Sequence, residues 1–375
     1  MKKSFLGGLT PQQFLQRYWQ KKPLLIRNAF PAFRDLLKRE QLFELACRDD
    51  VQSRLVLQKH GAWKVSHGPF TARDFRGRSN RKWTLLVQDV NHVLPQAQRL
   101  LLQFSFIPYA RLDDLMISYA PSGGGVGAHF DSYDVFLLQG SGRRVWQIST
   151  QKDLRLLAGA PLKILKNFKP EQEWVLGMGD MLYLPPYCAH NGVALDGCMT
   201  YSIGFRAPSA QELATQFLNF LQDHLDIKGI YRDPWLTPQQ HPAQISDAML
   251  RHATNMLGRI HWEKQDVVLF LGRFLSEPKT HVFFQPLSRA ISSKSFFRKC
   301  NAQGVYLDLK SQMLFCHDLI FMNGEAFRPG RRAFATLSKL ADGRELKPQT
   351  DFDQETRALL YQWYQAGYIK IGCLT

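Results

Sequence analysis

Cysteine is scarce in this sequence and follows no recognisable pattern. Six cysteines occur among 375 residues, and they form neither a CxxC pair nor the spacing of a zinc site. Because disulfide scaffolds are short and dense in cysteine, that class of protein is excluded. We expect reduced thiols and a cytoplasmic location.

Long apolar runs are also missing. No stretch approaches the roughly 20 apolar residues that cross a bilayer, so no membrane partner is expected. The first six residues resemble the basic start of a secretory leader, but Pro11, Gln12 and Gln13 interrupt it before an apolar segment develops. We therefore expect no export.

Acidic residues are few compared with basic ones. The chain has 32 Asp and Glu against 48 Lys and Arg, which gives a formal charge of +16. Such a balance favours polyanionic neighbours, for example nucleic acid or ribosomes. The densest basic run extends from Arg73 to Lys82 and is either a contact for such a partner or a solvated loop.

Apolar and aromatic residues are abundant, at 45% and 12% of the chain, so a disordered protein is excluded and the length indicates two or three domains. An amphipathic helix and a short strand, Leu24–Ile26, are predicted between residues 10 and 30. Short strands punctuated by Gly and Pro follow, as in a β-sandwich or barrel. They are Leu115–Ala120, Val135–Gln139, Arg144–Ser149, Trp174–Leu176, Met181–Leu184 and Met199–Phe205.

Helical patterns replace the strands after residue 207. Ser209 to Glu212 has the form of a capping box, and further helices are predicted over 246–260 and 267–275, as in a bundle or a dimerisation element. Beyond Pro286, a strand pair over 305–309 and 314–322 joins helices over 332–340 and 354–365, which is typical of a winged helix. We thus predict an α+β chain with domains 1–207, 208–285 and 286–375.

One glycine-rich segment carries the chemistry. Gly123 to Gly127 leads into His129 and Asp131, whose side chains share a face if the backbone is extended. His190 follows a Gly-Asp strand and a Pro-Pro turn and can supply a third ligand from a distant strand. Two histidines and one carboxylate form the facial triad of non-haem Fe(II) oxygenases. The alternative is a barrel without metal.

A second pattern concerns Arg144, which alternates with Trp146 and Ile148 in a predicted hairpin strand. An arginine that points into an apolar barrel requires a bidentate anion such as a carboxylate. Alternatively, Arg143 is the inward residue, or either arginine pairs with an acid of the protein. The hydroxyls of Ser118, Thr200 and Ser202 can bond the same ligand or remain ordinary strand residues.

These residues resemble the JmjC-domain 2-oxoglutarate oxygenases, and among them the bacterial ribosomal oxygenases. The resemblance covers nearly the whole chain. It is carried by the triad, Arg144 and these stretches: 18–23, 65–70, 85–88, 113–118, 123–127, 142–144 and 202–208. It implies a double-stranded β-helix (a JmjC or cupin-like domain), then a helical dimerisation region, then a winged helix.

The resemblance also implies a reaction. Fe(II) would bind His129, Asp131 and His190, and 2-oxoglutarate would bind Arg144 with help from Ser118 and Thr200. Oxidative decarboxylation of 2-oxoglutarate by O2 would drive hydroxylation of a ribosomal protein. The target implied is an arginine of the sixteenth large-subunit ribosomal protein.

Further contacts are expected from the same resemblance. Gln88 and Asn91 are candidate substrate contacts, and the basic run is a candidate contact for ribosomal RNA. Because the chain and its substrate are both basic, an acidic mouth is expected to aid their encounter. The aspartates expected there are Asp113, Asp114, Asp131 and Asp134.

Two other functions fit parts of the pattern. A non-enzymatic regulator would sense a small molecule in a cupin-like barrel and bind DNA through the winged helix, with Arg328, Arg331 and Arg332 as candidate contacts. A histone-type demethylase would share the iron chemistry but requires recognition of methyl-lysine, for which the sequence offers no motif.

Overall fold

The computed structural model describes residues 5–59, 61–76, 78 and 82–373. Helix α1 (Pro11–Arg17) comes first. The Thr10 hydroxyl accepts from the Gln13 N–H at 3.2 Å and the Gln13 side chain accepts from the Thr10 N–H at 2.9 Å, so both free donors at the helix start are satisfied. The helix leads into the strand Leu24–Ile26, as predicted.

Two sheets form the core of the first half. The strands are β1 (Leu24–Ile26), β2 (Ser53–Lys59), β3 (Ala62–His67), β4 (Trp83–Val87), β5 (Leu112–Ala120), β6 (Val135–Gln139), β7 (Arg144–Ser149), β8 (Gln172–Leu176), β9 (Met181–Leu184), β10 (Ala189–Ala194) and β11 (Cys198–Phe205). The larger sheet has the order β1-β9-β6-β11-β5-β4-β2-β3 and the smaller one has the order β10-β7-β8. All strand pairs in both sheets are antiparallel.

The central strands of the larger sheet are covered on both faces. On β6, Phe136 and Leu138 pack against the helical side, whereas Val135 and Leu137 pack toward β7 and β8. The helices on the first side are α1, α2 (Arg39–Ala46) and α4 (Pro95–Leu101), with a short helix α3 (Ala72–Phe75) at the edge. Burial on both faces explains why the first four residues of β6 are all apolar, and the space between the sheets is left for the site.

The predicted β-rich half is confirmed, although four strands were not predicted. The bounds of β6, β7 and β9 agree with the prediction, whereas β5, β8 and β11 begin one to three residues earlier. Strands β2, β3 and β4 extend one edge of the larger sheet, and β10 carries His190. The sequence patterns of these four strands differ, from the wholly buried WTLLV of β4 to the alternating AWKVSH of β3, and none of them was identified.

The second half begins with helices α5 (Ala210–Gln222), α6 (Asp247–Leu257) and α7 (Lys264–Ser276). The remaining elements are α8 (Ser293–Gln303), β12 (Val305–Leu307), β13 (Met313–Cys316), β14 (Leu319–Met322), β15 (Glu325–Phe327), α9 (Arg331–Gly343), β16 (Glu345–Leu346), α10 (Gln354–Gln365) and β17 (Ile369–Ile371). A second apolar core joins α8, α9 and α10 to these strands. In the described part of the chain, no helix has the length and apolar character to cross a membrane.

The predicted pairing of 305–309 with 314–322 is wrong. Strand β12 pairs with β16 and β17, and the segment 314–322 is divided into β13 and β14, which pair with each other. His317 has a left-handed φ of 54° at the turn between them, and Asn323 has a φ of 51° at the turn into β15. The first turn has no glycine or asparagine at its left-handed position, so no turn residue marked it in advance.

Candidate active site

A glycine loop places His129 beside His190. The two residues form an isolated antiparallel bridge, in which the N–H of His129 donates to the His190 carbonyl at 2.9 Å and the reverse bond is 2.8 Å. A Cβ on Gly125 would lie 2.5 Å from the carbonyl oxygen of Gly192, so only glycine permits the loop to approach β10 this closely. The loop sequence thus serves to bring two distant histidines together.

His129, Asp131 and His190 form one compact cluster. A ligand atom from each lies within 4.8 Å of the others, and the Nε2 of His190 is 3.7 Å from Oδ2 of Asp131. Among the described residues, this is the one group of three or more His, Cys, Asp and Glu side chains with the geometry to hold a metal ion. The structure therefore brings the three predicted triad residues together.

Hydrogen bonds orient both imidazoles. The Nδ1 of His129 is 2.8 Å from the carbonyl of Gly127, and the Nδ1 of His190 is 2.9 Å from the carbonyl of Cys188. A carbonyl can only accept, so each Nδ1 carries the proton and each Nε2 keeps a free electron pair. Burial, together with the nearby His129, lowers the pKa of His190 to about 4, which keeps that ring in the neutral form that binds metals.

The cluster opens into a cavity of about 510 Å³ between the two sheets. Polar residues that line the cavity include most of the predicted site, with Gln88, Ser118, Arg144, Thr200 and Ser202 among them. Leu137, Trp146 and the segment Pro161–Ile164 supply apolar walls. The arrangement is an apolar pocket with a few convergent polar groups, which is the usual form of a small-molecule site.

Arg144 is the inward residue of its strand. It is 5% exposed, its guanidinium carbon lies 5.6 Å from the centre of the Trp146 ring, and its buried Nε and Nη2 atoms have no hydrogen-bond partner among the described residues. Arg143 instead pairs with Asp196 at 3.0 Å on the surface. The alternative in which Arg143 points inward is therefore wrong. Because an unpaired buried guanidinium is costly, the pocket is built for an anion.

The predicted hydroxyl groups line the cavity but differ in their hydrogen bonds to the rest of the protein. Ser118 and Thr200 are cross-strand neighbours on β5 and β11, and both line the cavity. The Thr200 hydroxyl donates to Gln139 over a long 3.4 Å. Thr84, a residue that sequence reasoning missed, also lines the cavity, and its buried hydroxyl has no partner among the described residues. Thr84 is therefore a further candidate ligand contact.

The two predicted substrate contacts lie in different places. Gln88 lines the cavity. Asn91 does not; it is 2% exposed, and its Oδ1 accepts from the N–H of Leu115 at 2.9 Å. Its side-chain oxygen is thus bonded to the backbone of β5, and a role in substrate binding stays a prediction.

The cavity wall near β5 is acidic, as expected, but Asp134 takes no part in it. Asp113, Asp114 and Asp131 line the cavity together with Tyr133. Asp134 is fully buried elsewhere and accepts from the Tyr183 hydroxyl at 2.6 Å and from the Gln20 amide at 3.0 Å. The expectation that it lies at the mouth is wrong, because it anchors the start of the chain to the larger sheet.

Comparison with known proteins gives matches to both halves. The JmjC domain family model matches residues 99–213, and the ROXA-like winged helix model matches residues 259–370. The chain is 34% identical over 328 residues to the ribosomal protein uL16 3-hydroxylase of Escherichia coli, covering 87% of each chain. The chain belongs to the JmjC-domain ribosomal oxygenases.

Other members of the ribosomal oxygenases agree with this placement. A Haemophilus influenzae protein named "Probable ribosomal oxygenase" is 34% identical over 302 residues, covering 77% of this chain and 70% of that one. The structure of YcfD, a ribosomal oxygenase from Escherichia coli, in complex with cobalt and 2-oxoglutarate is 33% identical with a TM-score of 0.82, covering 96% of this chain and 98% of that one. The predicted JmjC/cupin-like fold with a C-terminal winged helix is confirmed, and the chain is an oxygenase, so the non-enzymatic sensor is not retained.

Proposed function

We propose that this ribosomal oxygenase uses Fe(II), O2 and 2-oxoglutarate to hydroxylate an arginine of ribosomal protein uL16 in the cytoplasm. One observation carries the proposal. The buried, unpaired guanidinium of Arg144 faces the same cavity as the open cluster of His129, Asp131 and His190. The relatives support it, since one is named for uL16 3-hydroxylation and another was solved with cobalt and 2-oxoglutarate.

The residues fit a metal of this kind. His129, Asp131 and His190 would hold Fe(II) through two neutral imidazoles and a carboxylate, which is the ligand set preferred by non-haem iron oxygenases. Three protein ligands leave coordination positions open for a cosubstrate and O2. When bound, the iron would activate O2, which is the oxidant, and 2-oxoglutarate would supply two electrons as it is decarboxylated, so that one oxygen atom can be inserted into a C–H bond.

The protein's own part is to bind and orient. Arg144 would bind a carboxylate of 2-oxoglutarate through its free Nε and Nη2 atoms, which suit a bidentate contact. Ser118, Thr84 and Thr200 would bond further oxygens from the β4, β5 and β11 side. The walls of Leu137 and Trp146 exclude water around the ligand.

The acidic wall supports an arginine as the target. Asp113 and Asp114 line the cavity, and a guanidinium is the cation that carboxylates bind in a bidentate manner. The cavity also offers the amide of Gln88 and the Tyr133 ring as neutral contacts. A cationic side chain is therefore better matched to this wall than an apolar one, although the chain as a whole is basic.

Mass spectrometry of uL16 tests the proposed function. The purified chain is incubated with uL16, Fe(II), 2-oxoglutarate and O2, and we expect a gain of one oxygen on an arginine-containing peptide. A His129→Ala variant should give no gain. Turnover of 2-oxoglutarate without any modified peptide would refute uL16 as the substrate. Modification of a uL16 residue other than arginine would refute arginine as the target residue.

We also propose that the basic run contacts ribosomal RNA. Gly77, Ser79, Asn80 and Arg81 lie outside the described residues, whereas Arg73, Arg76 and Lys82 are described and exposed. The backbone N–H of Lys82 donates to the Ser122 carbonyl at 3.3 Å. Because Ser122 directly precedes the glycine loop, Lys82 at the end of the run lies beside the loop that carries His129.

Charge reversal tests the RNA contact. Replacing Arg73 and Arg76 with glutamate should lower the hydroxylation rate on assembled ribosomal particles about tenfold or more at low salt, because contacts to phosphate act through charge. The rate on free uL16 should not change. The matched control reverses Arg331 and Arg332 at the start of α9. Equal rates on particles for the first variant and the wild type would refute the contact, and a loss confined to the control would assign RNA binding to the winged helix.

We further propose a homodimer formed through the helical region. Helix α6, which is described throughout, has no buried residue, although its sequence is strongly amphipathic. Exposed apolar side chains are concentrated in this region, and they include Leu218, Ile230, Trp235, Leu236, Ile245, Leu250 and Leu257. Patches of this kind mark protein–protein contacts.

A single charge should separate the two copies. Leu250 on α6 is 53% exposed, and Leu250→Glu would bury an unpaired carboxylate in the proposed contact, which costs several kcal/mol. We expect light scattering to give a dimer mass for the wild type and a monomer mass for this variant. Val175→Glu, at another exposed apolar residue, on β8, should stay dimeric. A monomeric wild type would exclude the proposed assembly.

A further inference from the structure

Three aspartates meet beside the cavity wall. Asp113 and Asp114 are on β5, and Asp89 lies in the loop after β4 with a left-handed φ of 52°. The backbone N–H of Asp89 donates to Oδ2 of Asp114 at 3.3 Å. Asp89 and Asp114 are both buried, so their negative charges repel each other in a medium that screens poorly.

One lysine from the second half of the chain enters this group. Lys279 follows the end of α7, within the region matched by the winged-helix family model. Its Nζ lies 2.8 Å from Oδ1 of Asp89 and 3.0 Å from Oδ1 of Asp113. The lysine therefore pairs directly with two of the three carboxylates.

Other contacts hold the lysine segment in place. The Nε2 of His281 is 3.1 Å from Oδ2 of Asp89. Arg206, just after β11, is 3.4 Å from Oδ1 of Asp113 and donates to the carbonyl of Leu275 at 3.0 Å. Both contacts tie the segment after α7 to the JmjC domain, so Lys279 is fixed by its neighbours on both sides.

Asp114 is the carboxylate that remains for a ligand. It lines the cavity, and in the described part of the chain it forms no ion pair of its own. Burial raises its pKa to about 7, Lys279 acts in the opposite direction, and Asp89 and Asp113 add to the increase. Near neutral pH, the charge on Asp114 therefore depends on the lysine beside it.

We propose that Lys279 is a positioning residue for the cationic substrate, which keeps Asp114 ionised and available by pairing with Asp89 and Asp113 and offsetting part of their negative charge. The inference rests on the proposed function for the identity of the substrate. The winged-helix region thereby contributes a charge to the active site of the JmjC domain, although none of its residues needs to touch the iron or the cosubstrate.

Several charged or titratable groups surround Asp114. They are Asp113 on β5, Asp89 and His92 in the loop after β4, Lys279 and His281 after α7, Arg206 after β11, Tyr133 before β6 and Arg54 on β2. Burial lowers the pKa of His92 to about 4, so that ring is neutral at pH 7. Lys279 is thus the cation that acts most strongly on Asp114.

Substitution of Lys279 gives a kinetic test. Lys279→Met leaves three carboxylates without their shared cation, so the pKa of Asp114 should rise and its ionised fraction at pH 7 should fall. We expect KM for uL16 to increase about fivefold at pH 7, because a rise of one unit from a pKa of about 7 lowers the ionised fraction from about one half to about one tenth, with less effect at pH 9. The kcat and the turnover of 2-oxoglutarate without substrate should not change. Lys279→Arg should restore KM.

A matched control removes a similar pair elsewhere. Lys370 is 2.7 Å from Oδ2 of Asp308 in the winged helix, and Lys370→Met should leave KM and its pH dependence as in the wild type. A wild-type KM in Lys279→Met, or a failure of Lys279→Arg to restore it, would overturn the inference.

A titration without substrate separates this inference from the proposed function. Carbonyl-13C NMR of aspartate-labelled protein, with Asp114→Asn for assignment, should show a group that titrates near pH 7 and moves to higher pH in Lys279→Met. An unmoved titration overturns the role of Lys279 even if uL16 is hydroxylated. A moved titration without hydroxylation of uL16 supports the role of the lysine and removes only the substrate assignment.

Discussion

His129→Ala is expected to reduce hydroxylation and metal binding by at least about a hundredfold, because loss of a group that merely orients a ligand already costs 10- to 100-fold. The two remaining ligands, Asp131 and His190, would hold the ion in only two positions. The metal content after dialysis against Fe(II) or Co(II), together with mass spectrometry of uL16, measures both effects. The fold should survive, since His129 is only partly buried and its bridge to His190 is made by backbone atoms.

A different histidine provides the control. His67 on β3 is exposed and does not line the cavity, so His67→Ala removes an imidazole from the same sheet system without touching the cluster. It should retain full metal binding and activity. If His129→Ala bound metal as well as the His67 variant did, the metal centre would have to lie elsewhere in the chain.

The local part of the site could be predicted from sequence because strand periodicity is exact. Alternation alone indicated that Arg144 shares a face with Trp146, and the structure places both in one cavity wall. His190 was identified by the turn before it, although β10 itself was not predicted. Residues two apart on a strand keep their relation in any fold, so such inferences need no tertiary knowledge.

Long-range contacts could not be predicted in this way. Lys279 lies 190 residues from Asp89, and nothing in either local sequence signals their meeting. The hydrogen bond between the Asn91 side chain and the backbone of Leu115, in another element, could not be predicted for the same reason. The predicted pairing of strands in the winged helix was also wrong. Strand β12 pairs with β16 and β17, which follow it by about 40 and 60 residues along the chain. Pairing of this kind depends on how the helices between the strands pack.

The domain boundaries at residues 207 and 285 stay predictions. Helix α7 lies before the second boundary, yet a Cβ on its Gly272 would come within 2.1 Å of the Phe321 ring on β14. Such a close approach packs α7 directly onto the winged-helix strands. Composition marks where strands give way to helices, but it does not show which core each helix joins.

Arg144→Met is expected to raise KM for 2-oxoglutarate by about a hundredfold or more. Two hydrogen bonds between charged groups are lost, each worth about 1.5–3 kcal/mol. The stability of the ligand-free protein, in contrast, should not decrease. The guanidinium is buried with unpaired Nε and Nη2 atoms, so an apolar side chain of similar length should leave Tm unchanged or raise it when no ligand is present. Steady-state kinetics and thermal unfolding measure the two effects separately.

The adjacent arginine sharpens this prediction. Arg143 is 63% exposed and pairs with Asp196, and a surface pair of this kind contributes only about 0–1 kcal/mol. Arg143→Met should therefore change neither KM nor Tm appreciably. Added 2-oxoglutarate should raise the Tm of the wild type and of the Arg143 variant, because a ligand that binds only the folded state stabilises it. The Arg144 variant should show no such increase at the same concentration. An equal increase in all three proteins would mean that the carboxylate is held by another group, and Arg54, whose buried Nε is also unpaired among the described residues, would be the residue to test in its place.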